Sequence, residues 1–297
     1  MISRLAVIGV GLIGGSLARA LRAAGEVGEV VGCGRSAANL EKAVELGVLD
    51  RYSHDPAEVV AGADMVFIAV PLGAMRGVFA AIRGHLREDA VMTDGGSVKA
   101  SVVADAKAVF GQIPPGLVPG HPIAGTERSG VEASFPELYR DRRVILTPLA
   151  ETDPVALDRV TRMWRACGAD VACMNVAHHD EVLAATSHLP HMLAFGLVDA
   201  LARMRENDEI FRYAAGGFRD FTRIASSNPV MWRDICIANR EALGAVMARF
   251  GAEMAELAET IRRADGDHLL AVFERAKSAR DRYVDGAAGT HAGTDLE

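Results

Sequence analysis

Four groups of residues in this chain have types and spacings that could do chemistry. The first is Gly9-Val-Gly-Leu-Ile-Gly14, after an apolar run at 4–9 and before a stretch of helical spacing at 16–24. In such a loop the first glycine permits a tight turn and the second lets the backbone approach a pyrophosphate. The third lets the helix pack on the strand, so that its N-terminal amides face the phosphates. The second group is Asp94-Gly-Gly-Ser-Val-Lys99, where Ser97 could donate to a substrate oxygen or cap the following helix. The third is His121, between Gly120 and Pro122 and so on a constrained loop. Oxidation of an alcohol needs a group that takes the hydroxyl proton while hydride leaves the same carbon, and imidazole suits that task near neutrality. The fourth is Arg219, Arg223 and Arg233, gathered around Trp232, whose guanidinium forks match carboxylates.

The glycine loop calls for a nicotinamide dinucleotide, expected against Gly9, Gly11, Leu12, Ile13 and Gly14, against Arg35 and Ser36, and against Val70 and Pro71. An acid at the end of the second strand would mark NAD; this chain has Gly32-Cys-Gly-Arg35-Ser36 there. A planar cation beside a hydroxyl suits a 2′-phosphate, which favours NADP and leaves NAD open.

These groups are expected to be carried by short apolar strands at 4–9, 29–33, 64–70 and 90–94, followed by strands at 117–119, 143–147 and 170–174. Helices at 16–24, 37–46 (stopped by Gly47) and 155–166 alternate with them. Strands apolar on both faces and alternating with helices imply a mostly parallel, doubly wound sheet of the Rossmann type. After residue 175 the pattern becomes helical, with segments at 181–202, 229–250 and 253–263. The expected fold class is therefore α/β, with a dinucleotide-binding domain at 1–175, an all-helical substrate and dimerisation domain at 176–284, and a small polar tail at 285–297 without structure. The helical part is apolar on more than one face, notably at 241–264, which points to a homodimer.

Composition narrows the partners. Half of the 297 residues are hydrophobic and 24% are charged, as in a globular protein, and the net charge of −7 argues against nucleic acid. The four cysteines lack CxxC spacing and read as reduced thiols of a cytoplasmic protein. No signal peptide and no membrane span is expected. His178, His179, His188 and His191 with Asp180 imitate a metal cluster, but no HExxH pattern exists and no metal is expected.

Several motifs, in order, resemble the prephenate/arogenate (cyclohexadienyl) dehydrogenases of tyrosine biosynthesis. They are Gly96-Ser-Val-Lys99, His121-Pro-Ile-Ala-Gly-Thr-Glu-Arg-Ser-Gly130, Ser187-His-Leu-Pro-His191, Gly216-Gly-Phe-Arg-Asp-Phe-Thr-Arg-Ile224 and Pro229-Val-Met-Trp-Arg-Asp234. The resemblance implies oxidative decarboxylation of prephenate or arogenate, with tyrosine as a candidate inhibitor at the same site. It makes His121 the proton acceptor, Ser97 an orienting residue and Arg223 the ligand of the ring carboxylate. Gly216, His191 and Trp232 would line the pocket, and Glu127 would stand at its entrance near His179. The family pattern has a larger residue where Gly95 stands. Two other readings are a 3-hydroxyacid dehydrogenase of the 6-phosphogluconate type, which would need a helix-borne Lys with an Asn four residues on, and a nucleotide-binding sensor, which would lack the His121 and Arg223 pair.

Overall fold

The computed structural model describes residues 1–126, 128–205 and 207–291. Its first nine helices and strands are β1 (Ile2–Ile8), α1 (Leu12–Ala23), β2 (Val27–Cys33), α2 (Ala37–Glu45), β3 (Arg51–Ser53), α3 (Pro56–Val60), β4 (Met65–Ile68), α4 (Leu72–Ile82) and β5 (Val91–Asp94). Then come α5 (Lys99–Phe110) and β6 (Leu117–Val118). These six strands form one sheet in the order β3-β2-β1-β4-β5-β6, all parallel. β1 pairs with β2 on one side and β4 on the other, so the strand order reverses there, the switch point where ligands bind in this fold.

The alternation of side chains along β1 explains why the sheet is covered on both faces. Leu5 and Val7 join one core with Leu17, Leu21, Tyr139 and Trp164; Ala6 and Ile8 join another with Met75, Phe79 and Val102. Each large apolar side chain so buried contributes roughly 1.5–3 kcal/mol.

Pro119 ends β6, since it has no N–H to continue a ladder. The chain then enters a second, three-stranded sheet of β7 (Gly120–Pro122), β8 (Arg143–Leu146) and β9 (Asp170–Cys173), with α6 (Pro154–Ala166) between the last two. β7 is antiparallel to β8, with His121 opposite Ile145, and β9 is parallel to β8. His121, expected on a loop, is therefore fixed in a short strand. The strands expected at 143–147 and 170–174 form, but in a sheet separate from the nucleotide-binding one.

The helical region is α7 (Val176–Leu183), a π segment (Ala184–His188), α8 (Leu189–Ala202), α9 (Asn207–Arg212), α10 (Gly216–Thr222), α11 (Pro229–Ala238), α12 (Arg240–Arg262) and α13 (Gly266–His291). The helix expected over 229–250 breaks at Asn239. That residue leaves helical geometry (ψ 29°), and its amide donates to the Asp180 carbonyl at 2.8 Å. No break separates 250 from 253, because α12 continues through Gly251. By contact pattern one compact unit spans Met1–Leu243 and a second begins at Gly244, comprising most of α12 and α13. α13 continues past 285, where a structureless tail was expected, to His291; 292–297 lie outside the described residues.

Candidate active site

The three glycines of the first motif meet different demands. Gly9 has φ +99°, and a Cβ there would stand 2.2 Å from the Ala69 carbonyl oxygen. A Cβ on Gly14 would stand 2.2 Å from the Gly9 oxygen and 2.8 Å from Val7, so only glycine lets α1 sit this close to β1. Gly11 has nothing within 4 Å of such an atom and is the N-cap of α1, which has no side-chain cap and no acid in its first turn. The Leu12 and Ile13 amides thus begin a helix whose end is open to an anion, and the site fits a dinucleotide pyrophosphate. Tyr139 donates to the Ile13 carbonyl at 2.6 Å, and Asn39 donates to the Val10 carbonyl at 2.7 Å while accepting from the Val131 amide at 3.0 Å.

The other cofactor candidates lie at the same carboxyl edge of the sheet. Arg35 is exposed just after β2, and Ser36 caps α2 by accepting from the Asn39 amide at 3.3 Å. Val70 is 3.2 Å from the Cβ position of Gly9, and Pro71 is the N-cap of α4. A Cβ on Gly95 would meet Phe67 at 3.2 Å and Ile13 at 3.3 Å, a steric reason for glycine at this position.

Behind this edge lies a chain of buried polar groups. His121 Nδ1 is 2.9 Å from His179 Nε2, and His179 Nδ1 is 2.7 Å from Asp180 Oδ1. The Asp180 carboxylate also accepts from the backbone amides of Lys99 (2.8 Å) and Ala100 (2.9 Å), at the start of α5. Burial raises the Asp180 pKa, but hydrogen bonds from His179, Ala100 and Lys99 outweigh it and hold the carboxyl below the usual range. Lys99 is fully buried and donates to Asp94 Oδ2. Burial, together with the nearby Lys99, His179 and His188, holds the His121 pKa well below the usual imidazole range. His121 is therefore a neutral ring at neutral pH, able to accept a proton.

A cavity of about 440 Å³ opens in front of this chain, lined by His121, Leu183, Ser187, His191, Arg223 and Trp232 among others. His191 stacks on Trp232 with centroids 3.6 Å apart and planes 21° from parallel, and its Nδ1 is 2.9 Å from the Ser187 carbonyl. Of the three arginines near Trp232, Arg223 lines the cavity; Arg233 instead pairs with Asp234 at 2.7 Å. Trp232 Nε1 and His188 Nε2 are buried without partners among the described residues.

The structure brings His121, His191, Arg223 and Trp232 to one cavity. Gly216 stands at the exposed start of α10 and is not part of that wall. His179 is fully buried and meets His121 and Asp180, not the cavity wall. Ser97 is half-buried ahead of α5; Val98 is the N-cap and the first amides of that helix are taken by Asp180, so Ser97 is not its capping residue. Glu127 lies outside the described residues. The histidines that imitate a metal cluster are engaged otherwise: His188 Nδ1 is 3.1 Å from the Asn239 amide, and His178 is exposed. Sequence reasoning quoted Asp94 and Lys99 as the ends of a motif but gave them no role, and it passed over Asn239. A lysine just after a strand-ending aspartate in an apolar setting was the available signal for the first two.

Comparisons with known proteins agree with this geometry. The family model described as "Prephenate dehydrogenase, nucleotide-binding domain" matches residues 17–173, and "Prephenate dehydrogenase, dimerization domain" matches 175–275. The chain is 40% identical over 279 residues to a cyclohexadienyl dehydrogenase of Zymomonas mobilis, covering 93% of this chain and 94% of that one. A prephenate dehydrogenase from Aquifex aeolicus, solved with hydroxyphenyl propionate and NAD+, superposes with a TM-score of 0.89 at 38% identity, covering 95% of this chain and 99% of that one. A Synechocystis arogenate dehydrogenase superposes with a TM-score of 0.79 at 28% identity, covering 94% and 99%.

Proposed function

This chain belongs to the prephenate dehydrogenase family, and we propose that it oxidatively decarboxylates prephenate or arogenate with a nicotinamide dinucleotide, NADP ahead of NAD. The observation that carries this reading is the cavity of about 440 Å³ with both His121 and Arg223 in its wall, a proton acceptor and a carboxylate ligand facing one small-molecule space.

Gly9, Gly11, Gly14 and the start of α1 would hold the oxidised cofactor, which would supply a hydride acceptor for the ring carbon that bears the hydroxyl. His121 takes the hydroxyl proton, with Ser97 orienting that hydroxyl. Arg223 holds the ring carboxylate, and His191 on Trp232 forms a flat wall for the ring. Oxidation leaves a dienone whose carboxylate departs as CO2, and aromatisation drives that loss. A carboxylate gripped hard would resist leaving, so Arg223 serves binding more than the chemical step. Tyrosine, which carries the aromatic ring of the product, would compete in the same cavity.

Arg35 and the absence of a carboxylate after β2 support the NADP preference. A homodimer is part of the same reading: α12 exposes Met247, Met254 and Ile261 at heptad spacing, and the match to a dimerization domain covers that helix. The same proposal divides the chain into a dinucleotide-binding region at 1–175 and a helical region at 176–284.

The test is a grid of initial rates, followed by reduced-cofactor absorbance, with prephenate or L-arogenate against NAD or NADP. Turnover in any cell supports the reaction, and the NADP cells should be fastest. Silence in all four cells, with folded protein that binds cofactor, would overturn the reading.

A further inference from the structure

We propose that His179 and Asp180 are a positioning pair that fixes the His121 tautomer and shares the proton His121 receives, a chain anchored on the first amides of α5. The proposal rests on the reading above that His121 is the base. The pair carries neither a cavity-lining position nor a substrate contact; it acts through His121.

The assignment follows from counting donors and acceptors. Asp180 Oδ1 and Oδ2 accept from the Lys99 and Ala100 amides, so the carboxylate is an anion held at a helix N-terminus. His179 Nδ1, 2.7 Å from that anion, must carry a hydrogen. Taken in its neutral form, His179 then offers a lone pair at Nε2, which lies 2.9 Å from His121 Nδ1. His121 Nδ1 must therefore carry the second hydrogen, leaving Nε2 as the lone pair of a ring that lines the cavity. With His179 neutral, these links leave His121 Nε2 as the proton acceptor of a ring that lines the cavity.

The proton and electron count closes. The substrate O–H bond breaks and its proton joins His121 Nε2. That bond's electron pair forms the ring carbonyl, as the C–H pair leaves as hydride to the oxidised nicotinamide dinucleotide. The hydrogen on His121 Nδ1 can shift to His179 Nε2, which places the new charge next to the Asp180 anion. After product leaves, the shift reverses and the proton passes from His121 Nε2 to water.

The surroundings make this sharing useful. Lys99 of α5 and His188 of the π segment disfavour a cation on His121, and Asp94 of β5 answers only the Lys99 charge at 2.5 Å. Arg223, in the cavity wall, and His191 add no anion, and β8 opposes His121 with Ile145. Among the described residues, Asp180 is the carboxylate that meets His179, so His179 is the route by which its negative charge reaches the base.

Three readouts test this. The first needs no variant: ring nitrogen shifts in the 15N spectrum of the unaltered protein should report hydrogen on Nδ1 of both His121 and His179. Hydrogen on Nε2 of His121 would overturn the proposal. The second is Asp180→Asn, which offers His179 a donor or a weakened acceptor. Its kcat should fall about 10²–10⁴-fold, with KM within about three-fold, and the acid limb of kcat/KM should move to lower pH because an anion favouring the imidazolium is gone. The third compares His179→Gln with His179→Phe. Glutamine can still accept from His121 Nδ1 and should recover part of the kcat that phenylalanine loses.

Should Asp180→Asn not fold, the His179 pair and the nitrogen shifts decide. Loss of activity in His121→Ala, with Asp180→Asn and His179→Gln both within about three-fold of the unaltered kcat and an unmoved acid limb, would overturn the relay and leave the functional reading intact. Silence of the unaltered protein with both acids and both cofactors would instead overturn that reading, and this proposal with it.

Discussion

The buried ammonium of Lys99 donates to the backbone carbonyl of Gly120 at 2.5 Å, one residue ahead of His121. The same ammonium meets Asp94 Oδ2 at 2.5 Å, while Asp94 accepts from the amides of Gly96 (2.8 Å) and Gly120 (3.1 Å). One buried ion pair thus ties the end of β5, the start of α5 and the strand that carries His121. Lys99→Met should leave the Asp94 charge uncompensated and lower stability by about 3–5 kcal/mol in urea unfolding. A Lys99→Met, Asp94→Leu double variant should cost less than the two single losses added together. Strict additivity would show that the pair does not act as a unit.

The glycine loop separates packing from binding. Gly14→Ala forces an atom to within 2.2 Å of the Gly9 oxygen and should destabilise by about 1–3 kcal/mol or more. Gly11→Ala meets nothing within 4 Å and should leave the melting temperature unchanged, yet it should weaken dinucleotide binding by about tenfold or more, because a methyl group occupies the path of the pyrophosphate. Thermal melts and cofactor titrations of the two variants check this; a Gly11→Ala protein that binds cofactor normally would refute the placement.

Acid should unfold this protein through its histidines. Burial pushes His188 down to about 4 and holds His121 well below the imidazole range, so the unfolded chain binds more protons than the folded one below about pH 6.5. Stability should therefore fall as pH drops from about 6.5 toward 4, with His188 alone accounting for about 3 kcal/mol by the lower end. His188→Asn, which keeps an amide near Asn239, should flatten part of that slope in unfolding curves taken across the range. An unchanged slope would mean that His188 is not a neutral buried ring.

Much of this was legible in the residues. The glycine spacing and the apolar strands that flank it announce a switch-point nucleotide site, since both obey short-range rules of turn geometry and strand burial. His121 and Arg223 were found through their motifs and do meet at one cavity. What sequence did not reveal depends on distant pairings. The break at Asn239 exists because its amide serves Asp180 and His188, which lie 59 and 51 residues away. His179 looked like a pocket or metal residue because spacing along a helix cannot say which ring faces inward to Asp180 and His121. The split into two sheets turns on Pro119 ending one ladder and on His121 pairing across to Ile145.

The proposed NADP preference rests on Arg35, exposed just after β2. Arg35→Ala should weaken NADP binding by about 10–100-fold, the range of a charge-assisted hydrogen bond, and leave NAD within about three-fold. Equal losses for both cofactors would reduce Arg35 to a stacking or solvated residue.

The most direct test of the account compares steady-state kinetics of His121→Ala and Arg223→Ala with the preferred acid and cofactor. His121→Ala should lower kcat about 10²–10⁴-fold with little change in KM. Arg223→Ala should raise KM about 10–100-fold and leave kcat nearly intact. Equal loss of kcat in the two variants would contradict the division between proton acceptor and carboxylate ligand on which the mechanism stands.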